Sequence, residues 1–433
     1  MKRKMRRLTK KPFVRDVAVM ASGTAAAQAV IMALSPLITR LYGPEAYGLM
    51  GVFTAIVSIV GPVAALTYPI AIVLPKRETD AWALLRLSLA VTVGMAVASA
   101  VVLLLFQTSI VQLFQLQDVA SFLFLIPVVM LFAGLLQTAE QWLIRTKQFA
   151  ITAKMTVVQA VIIQGSKVGV GFFYPFASVL IVLSALSKGV KALLLMLFAK
   201  PAEKQHHREP RSSIKSVAKR HWDFPAYRAP EVFINASSQS LPTLLLSGFF
   251  GPASAGFYAI GKSVLSLPVQ LIGKSVGDVF YPRVSEAANN GENVTGLIRK
   301  ATLSLAAVGV GPFGTVIIFG PWLFSFVFGA DWVTAGEYAR WMALWTFFGF
   351  INRPSVMALP VLSAQAFHLR FTIIMLITRI AALAAGYYIF ASDLTAIACF
   401  GVSGAILNSG LIGITLQKSR HYDHEQSDGG NDE

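Results

Sequence analysis

The chain has 433 residues, of which 55% are hydrophobic and only 13% are charged, about half the ~25% charged content of soluble domains. A soluble fold needs a polar exterior that this composition and a mean hydropathy of +0.64 do not supply, which excludes one and leaves lipid as the solvent. The net charge of +16 does not mark a nucleic-acid binder, because the basic residues fall in blocks beside apolar stretches without an aromatic stacking platform.

Residues 1–16 form a basic N-terminus with eight Lys/Arg in the first fifteen positions. A bilayer core of ~30 Å needs about twenty apolar residues per helix. Such stretches follow at 17–39, 46–74, 83–106, 120–144, 151–172 and 177–199. A polar linker, 200–225, carries seven Lys/Arg between Lys200 and Arg220. Further spans are expected at 227–249, 256–280, 298–320, 338–360, 371–390 and 394–417. The acidic, Gly-containing tail 418–433 is expected to be disordered. The start resembles the basic region of a signal peptide, yet eleven further spans favour an uncleaved anchor. The expected fold class is an all-α polytopic membrane protein of about twelve transmembrane helices.

Orientation follows from the basic residues, which favour cytoplasmic loops. With the N-terminus inside, the inner segments hold twenty-five of the thirty-seven Lys/Arg. The outer segments 107–118, 172–176, 250–255, 321–337 and 391–393 hold none. Both termini are therefore expected in the cytoplasm.

The chain also repeats itself. Gly43-Pro44-Glu45-Ala46-Tyr47-Gly48 returns as Gly251-Pro252-Ala253-Ser254-Ala255-Gly256, an offset of 208 residues. Pro62 pairs with Pro268 and Pro75-Lys76 with Pro282-Arg283, at offsets of 206 and 207. Two six-helix bundles are expected, 17–199 and 226–417, joined by the cytoplasmic linker 200–225 around a central cavity.

Ionisable groups inside a span cost at least ~2.5–3.5 kcal/mol, so they usually face a cavity or a partner. The eighth span carries Lys262, Ser266, Gln270, Lys274 and Asp278 at four-residue spacing, which keeps neighbours close along a helix while the stripe spirals. Lys274 and Asp278 are also spaced to pair with each other. The seventh carries Glu231, Asn235 and Gln239, with Glu231 placed to pair with Arg228. Lys167 lies in the fifth span, Lys188 and Lys191 in the sixth, Arg353 in the tenth and Arg379 in the eleventh. Cations outnumber the intramembrane acids Glu140, Glu231 and Asp278, which points to an anionic cargo. The substrate-cavity candidates are Lys262, Lys274, Lys167, Lys188, Arg353, Arg379 and Gln270, and the ion-coupling candidates are Asp278 and Glu231. Cys399 is alone, and the six histidines fall outside the spans without thiol or carboxylate partners at ligand spacing, so no metal or cofactor is expected.

The stretch Leu41-Tyr42-Gly43-Pro44-Glu45-Ala46-Tyr47-Gly48, with Ala71-Ile72-Val73-Leu74-Pro75-Lys76, resembles the N-terminal half of Wzx-type flippases. These are polysaccharide transporters of the multidrug/oligosaccharidyl-lipid/polysaccharide exporter superfamily. Asp223-Phe224-Pro225, Leu241-Pro242, Phe249-Phe250-Gly251 and Val279-Phe280-Tyr281-Pro282 extend the resemblance through the second half. It implies a V-shaped pair of bundles around a cationic cavity. It also implies flipping of undecaprenyl-diphosphate-linked oligosaccharide repeat units, across the bacterial inner membrane, for surface polysaccharide such as O-antigen, capsule or exopolysaccharide. The implied partners are the lipid-linked glycan, membrane lipids, a polysaccharide polymerase and a chain-length regulator. Related flippases carry a cavity arginine on the eighth span; Lys262 stands at the matching position, keeping the charge but losing the bidentate grip. The competing readings are a multidrug/cation antiporter of the same superfamily, which wants an acidic lumen, and a membrane polymerase or ligase. The latter needs catalytic groups on an ordered outer loop, and the outer loops are short, without a nucleophile–base pair, so no enzyme is expected.

Overall fold

Apolar segments deprived of water satisfy their backbone groups by coiling into helices. In the computed structural model the backbone is described over residues 12–114, 117–200 and 212–429, and no strand occurs among them. The side chains of 12–14, 17, 113–114, 271–279 and 425–429 lie outside the description. Two compact units result, Met1–Leu244 and Leu245–Glu433. The division falls inside a helix, Ala229–Phe250, and not in the polar linker.

The first unit opens with α1 (Pro12–Val60), which breaks at Gly43, where φ is 70° and ψ is 174°. That backbone region is essentially reserved for glycine, and the break separates the two expected first spans. Helix α1 stops at Val60, so the span expected at 46–74 ends early. Residues Gly61–Val63 and Tyr68–Val73 form short 3-10 turns instead. Pro62 and Pro69 supply the cause by removing backbone donors, and Leu66 and Thr67 take positive φ between the two turns. Four long helices follow: α2 (Glu78–Phe114), α3 (Ile126–Arg145), α4 (Phe149–Gly171) and α5 (Ala177–Phe198). Helix α1 packs on α4 through small residues. A Cβ on Gly23 would lie 2.6 Å from that of Ala153, and one on Gly171 would lie 2.7 Å from the Tyr42 ring. Close backbone approach of this kind is how membrane helices gain packing without a hydrophobic drive. The linker is partly structured, with α6 (Ile214–Arg220) and a single wide turn, Phe224–Arg228, leading into α7 (Ala229–Phe250).

The second unit contains α8 (Pro252–Asn289), α9 (Val294–Phe328), α10 (Val333–Ile351), α11 (Arg353–Ala358), α12 (Gln365–Tyr388) and α13 (Asp393–Gly429). Before α8, Gly251 has φ 90° and ψ 170°, nearly the geometry of Gly43. Helices α9 and α10 touch backbone to backbone, since a Cβ on Gly336 would lie 2.4 Å from the Gly320 carbonyl oxygen. Of the tail expected to be disordered, residues 418–429 instead continue α13, and 430–433 lie outside the described residues. Asp423 explains much of this, because its two carboxylate oxygens accept from the Val294 and Thr295 amides at 3.0 and 2.9 Å. A carboxylate is stabilised at a helix N-terminus, here that of α9.

Eight helices among the described residues are long and apolar enough to cross a membrane, with the broken α1 counted once. The spans expected at 227–249, 256–280 and 338–360 are helical but not among the eight. Helices α7 and α8 carry the polar ladders, and the tenth expected span is interrupted at Asn352 between α10 and α11.

Candidate functional site

In the first unit Lys167, Lys188 and Lys191 each find a different environment. Lys167 on α4 is buried, with its Nζ 3.4 Å from the Met50 sulfur, while the Tyr42 hydroxyl donates to its carbonyl at 2.8 Å. It sits in the α1–α4 seam, about one turn from Gly171 on the same helical face, with Tyr42, next to the Gly43 break, against both. Lys188 on α5 lines a cavity of about 520 Å³ together with Ser58, Gly61, Gln137, Glu140 and Val232. The 3-10 turn leaves room for it: a Cβ on Gly61 would come within 2.5 Å of the Lys188 Nζ. Gln137 donates to the Gly61 carbonyl at 2.7 Å and fixes that turn. Lys191, one turn along α5, is paired with Glu140 of α3 at 2.7 Å.

In the second unit the cations meet rings. Arg379 of α12 places its guanidinium carbon 4.5 Å from the Trp345 ring and 5.7 Å from that of Phe400. Its Nε is buried and has no hydrogen-bond partner among the described residues. Gly404 seats the cage, since a Cβ there would strike the Trp345 ring at 2.6 Å. Phe400 meets Tyr258 edge to face at 6.4 Å, and the exposed Lys262 lies 6.0 Å above Tyr258. Lys262 of α8 and Arg379 of α12 therefore border one aromatic cluster, although 117 residues separate them.

The remaining candidates are dispersed. Arg353 opens α11, half-buried, with no ion pair or hydrogen bond from its side chain among the described residues. Gln270 is exposed and donates to Ser266 at 3.2 Å. Glu231, expected as an ion-coupling acid, has a side chain 62% exposed and is held by Arg228 at 2.8 Å. It is thus a surface pair at the start of α7, not a buried acid, because the three-residue spacing puts the two side chains on one helical face. Lys274 and Asp278 lie on α8, and their side chains are outside the described residues.

Sequence reasoning missed a carboxylate. Asp393, in the outer segment expected at 391–393, accepts from the Tyr338 hydroxyl at 2.6 Å and from Ser254 at 3.1 Å. It ties the starts of α8 and α13 to α10. A second missed contact joins Asn352 to Asn408 at 3.0 Å, both buried. Separations of 139, 55 and 56 residues leave no local pattern from which to find either.

Two units of long apolar helices, each with a glycine break and with cations inside its helices, make up an all-helical polytopic membrane fold. It is similar to the lipid II flippase MurJ in its inward closed conformation, with a TM-score of 0.69, 14% identity, and coverage of 94% of this chain and 90% of that one. An inward-facing multidrug resistance MATE family transporter of the MOP superfamily gives a TM-score of 0.66 and 12% identity over 93% and 96% of the two chains. A MATE protein in the bent conformation gives 0.52 and 13% over 97% and 98%. No curated protein sequence matches the chain. Residues 37–337 match the model of a family described as polysaccharide biosynthesis protein, and the chain belongs to that family. Fold and family agree with the resemblance carried by the two Gly-Pro motifs.

Proposed function

We propose that this protein flips undecaprenyl-diphosphate-linked oligosaccharide units from the cytoplasmic to the periplasmic leaflet of the bacterial inner membrane. The step is ion-coupled alternating access, with both termini in the cytoplasm, in the service of surface polysaccharide synthesis. Membership of a polysaccharide biosynthesis family supports the pathway. The observation that carries the cargo class is Arg379, a guanidinium on two ring faces with a buried Nε that lacks a partner among the described residues. Ring faces leave the positive charge uncancelled, and phosphate oxygens supply both the countercharge and the missing acceptor. Lys262, at the rim of the same aromatic cluster, adds a second charge for the diphosphate. A lipid-linked cargo keeps its tail in the bilayer while the headgroup crosses, so no enclosed pocket for the whole substrate is required. A polysaccharide polymerase and a chain-length regulator are the natural acceptors of the product.

The test is reconstitution into proteoliposomes containing a lipid-linked glycan, scored by how much of it becomes accessible to an impermeant glycan-modifying reagent, under imposed proton and sodium gradients. Gradient-dependent transfer is expected. Absence of transfer under either gradient, together with efflux of a fluorescent organic cation, would replace this reading with the multidrug antiporter.

A further inference from the structure

Residues 212–228, between α5 and α7, are folded in a way that a mere connector does not require. Val217 of α6 is 1% exposed and packs with Tyr68, Ile72 and Leu84. Arg220 is bonded to Asp80 at 3.0 Å, and Ser212 donates to the same carboxylate. Thr67 donates to the Phe224 carbonyl at 3.1 Å. One face of the segment is therefore pinned to the bundle. On the other face, Trp222 and Tyr227 are 55% and 67% exposed, with their rings 5.5 Å apart. Lys215 and Lys219 are exposed, and neither has an ion pair among the described residues. Arg220 and Arg228, by contrast, are already matched to Asp80 and Glu231.

Exposed Trp and Tyr held together beside uncompensated lysines are poorly suited to bulk water. Amphipathic rings prefer the headgroup level of a bilayer, and lysines near that level attract anionic lipid. The depth follows from the packing, because α6 lies against the first turns of α2, where a span begins at Glu78. We propose that residues 212–228 are a docking face for anionic phospholipid headgroups. Trp222 and Tyr227 enter the interface, and Lys215 and Lys219 contact the lipid phosphates. The pinned α6 presents these groups without the ordering cost that a flexible linker carries on binding.

The experiment places the full-length protein in nanodiscs of phosphatidylcholine, with or without phosphatidylglycerol, using chain-brominated lipids that quench nearby tryptophan. The Trp222 signal is the difference between the wild type and Trp222→Phe. It should be quenched more when phosphatidylglycerol is present, and high salt should remove the excess. Lys215→Gln and Lys219→Gln should each weaken the phosphatidylglycerol dependence by about fivefold, whereas Lys→Arg at the same positions should retain it. Quenching that is equal in the two lipids means apolar anchoring alone and overturns the proposal. Absence of quenching, or indifference to the lysine substitutions, also overturns it. No transport is measured, so the result is independent of the cargo assigned above.

Discussion

The two units share a glycine break and part company in how they hold their cations. Gly43 and Gly251 have nearly the same backbone angles, 70° and 174° against 90° and 170°. In the first unit Lys191 is matched to Glu140 and Lys167 to a methionine sulfur. In the second, Arg379 and Lys262 rest on Trp345, Phe400 and Tyr258. A carboxylate cancels a charge, while ring faces steady the Arg379 guanidinium without supplying a countercharge. An anionic headgroup thus gains more from the second unit's cluster. The two halves share a backbone geometry at these glycines and differ in the charge placement around it.

The largest expected effect tests that divergence. Arg379→Gln should lower transfer of lipid-linked glycan at least tenfold, since about 1.4 kcal/mol is tenfold and a desolvated cation on a ring is worth ~2 kcal/mol before its phosphate contacts are counted. Arg379→Lys should recover only part, because the planar stack and the fork are lost. Glu140→Gln should cost less, as it releases Lys191 without removing a cation. Proteoliposome transfer rates, normalised to inserted protein, provide the measure. Equal losses in the two units would mean that ring-held and acid-held cations serve alike.

A smaller effect probes what the repeat kept. Gly43→Ala and Gly251→Ala each force a side chain into a backbone region costing ~1–3 kcal/mol, although neither Cβ would meet an atom within 4 Å. Both should lower the thermal midpoint of the purified protein by similar amounts. Gly94→Ala in α2, also free of close atoms but without a positive φ, should be neutral or mildly stabilising. A loss at only one of the two repeat positions would mean that the motif is shared in sequence and not in mechanical role.

Much of this organisation was legible before any coordinates. The hydropathy pattern placed the helices, because apolar length is the one property a bilayer demands. The Gly-Pro repeat located both breaks, since only glycine enters that backbone region. Arg379 and Lys262 were identifiable as misplaced charges. Their aromatic surroundings were not, because Tyr258, Trp345 and Phe400 read as ordinary apolar residues in three separate helices. The early end of the second span was only hinted at by Pro62 and Pro69, as proline in a membrane helix bends as often as it terminates. The tail misled for a physical reason. Its polarity fits disorder, yet Asp423 finds the start of α9 in three dimensions, and composition cannot foresee a cap 129 residues away.

The smallest effect separates the units by pH. The repeat aligns Pro75-Lys76 with Pro282-Arg283; the first pair lies in the turn before α2 and the second inside α8, and the two sites are secured by different chemistry. Arg145 donates to the Ile72 and Pro75 carbonyls at 3.0 and 2.8 Å, contacts that do not titrate in the acid range. Arg283 instead clasps Glu292 in the turn between α8 and α9, with one of its bonds at 3.2 Å. The hydrogen bond and charge of Arg283 hold the Glu292 carboxyl below its ordinary value, which is about 4.3 for glutamate. A lowered carboxyl adds stability that is fully present above the ordinary value and disappears as pH falls through the lowered one. Both groups are exposed, so the contribution is small. Glu292→Gln should therefore lower the thermal midpoint slightly at neutral pH, and the difference from wild type should close as the solution is acidified. Arg145→Gln should impose a cost that stays constant over the same range. A Glu292→Gln difference that persisted into acid would assign that turn's stability to packing, leaving the two units secured in the same way after all.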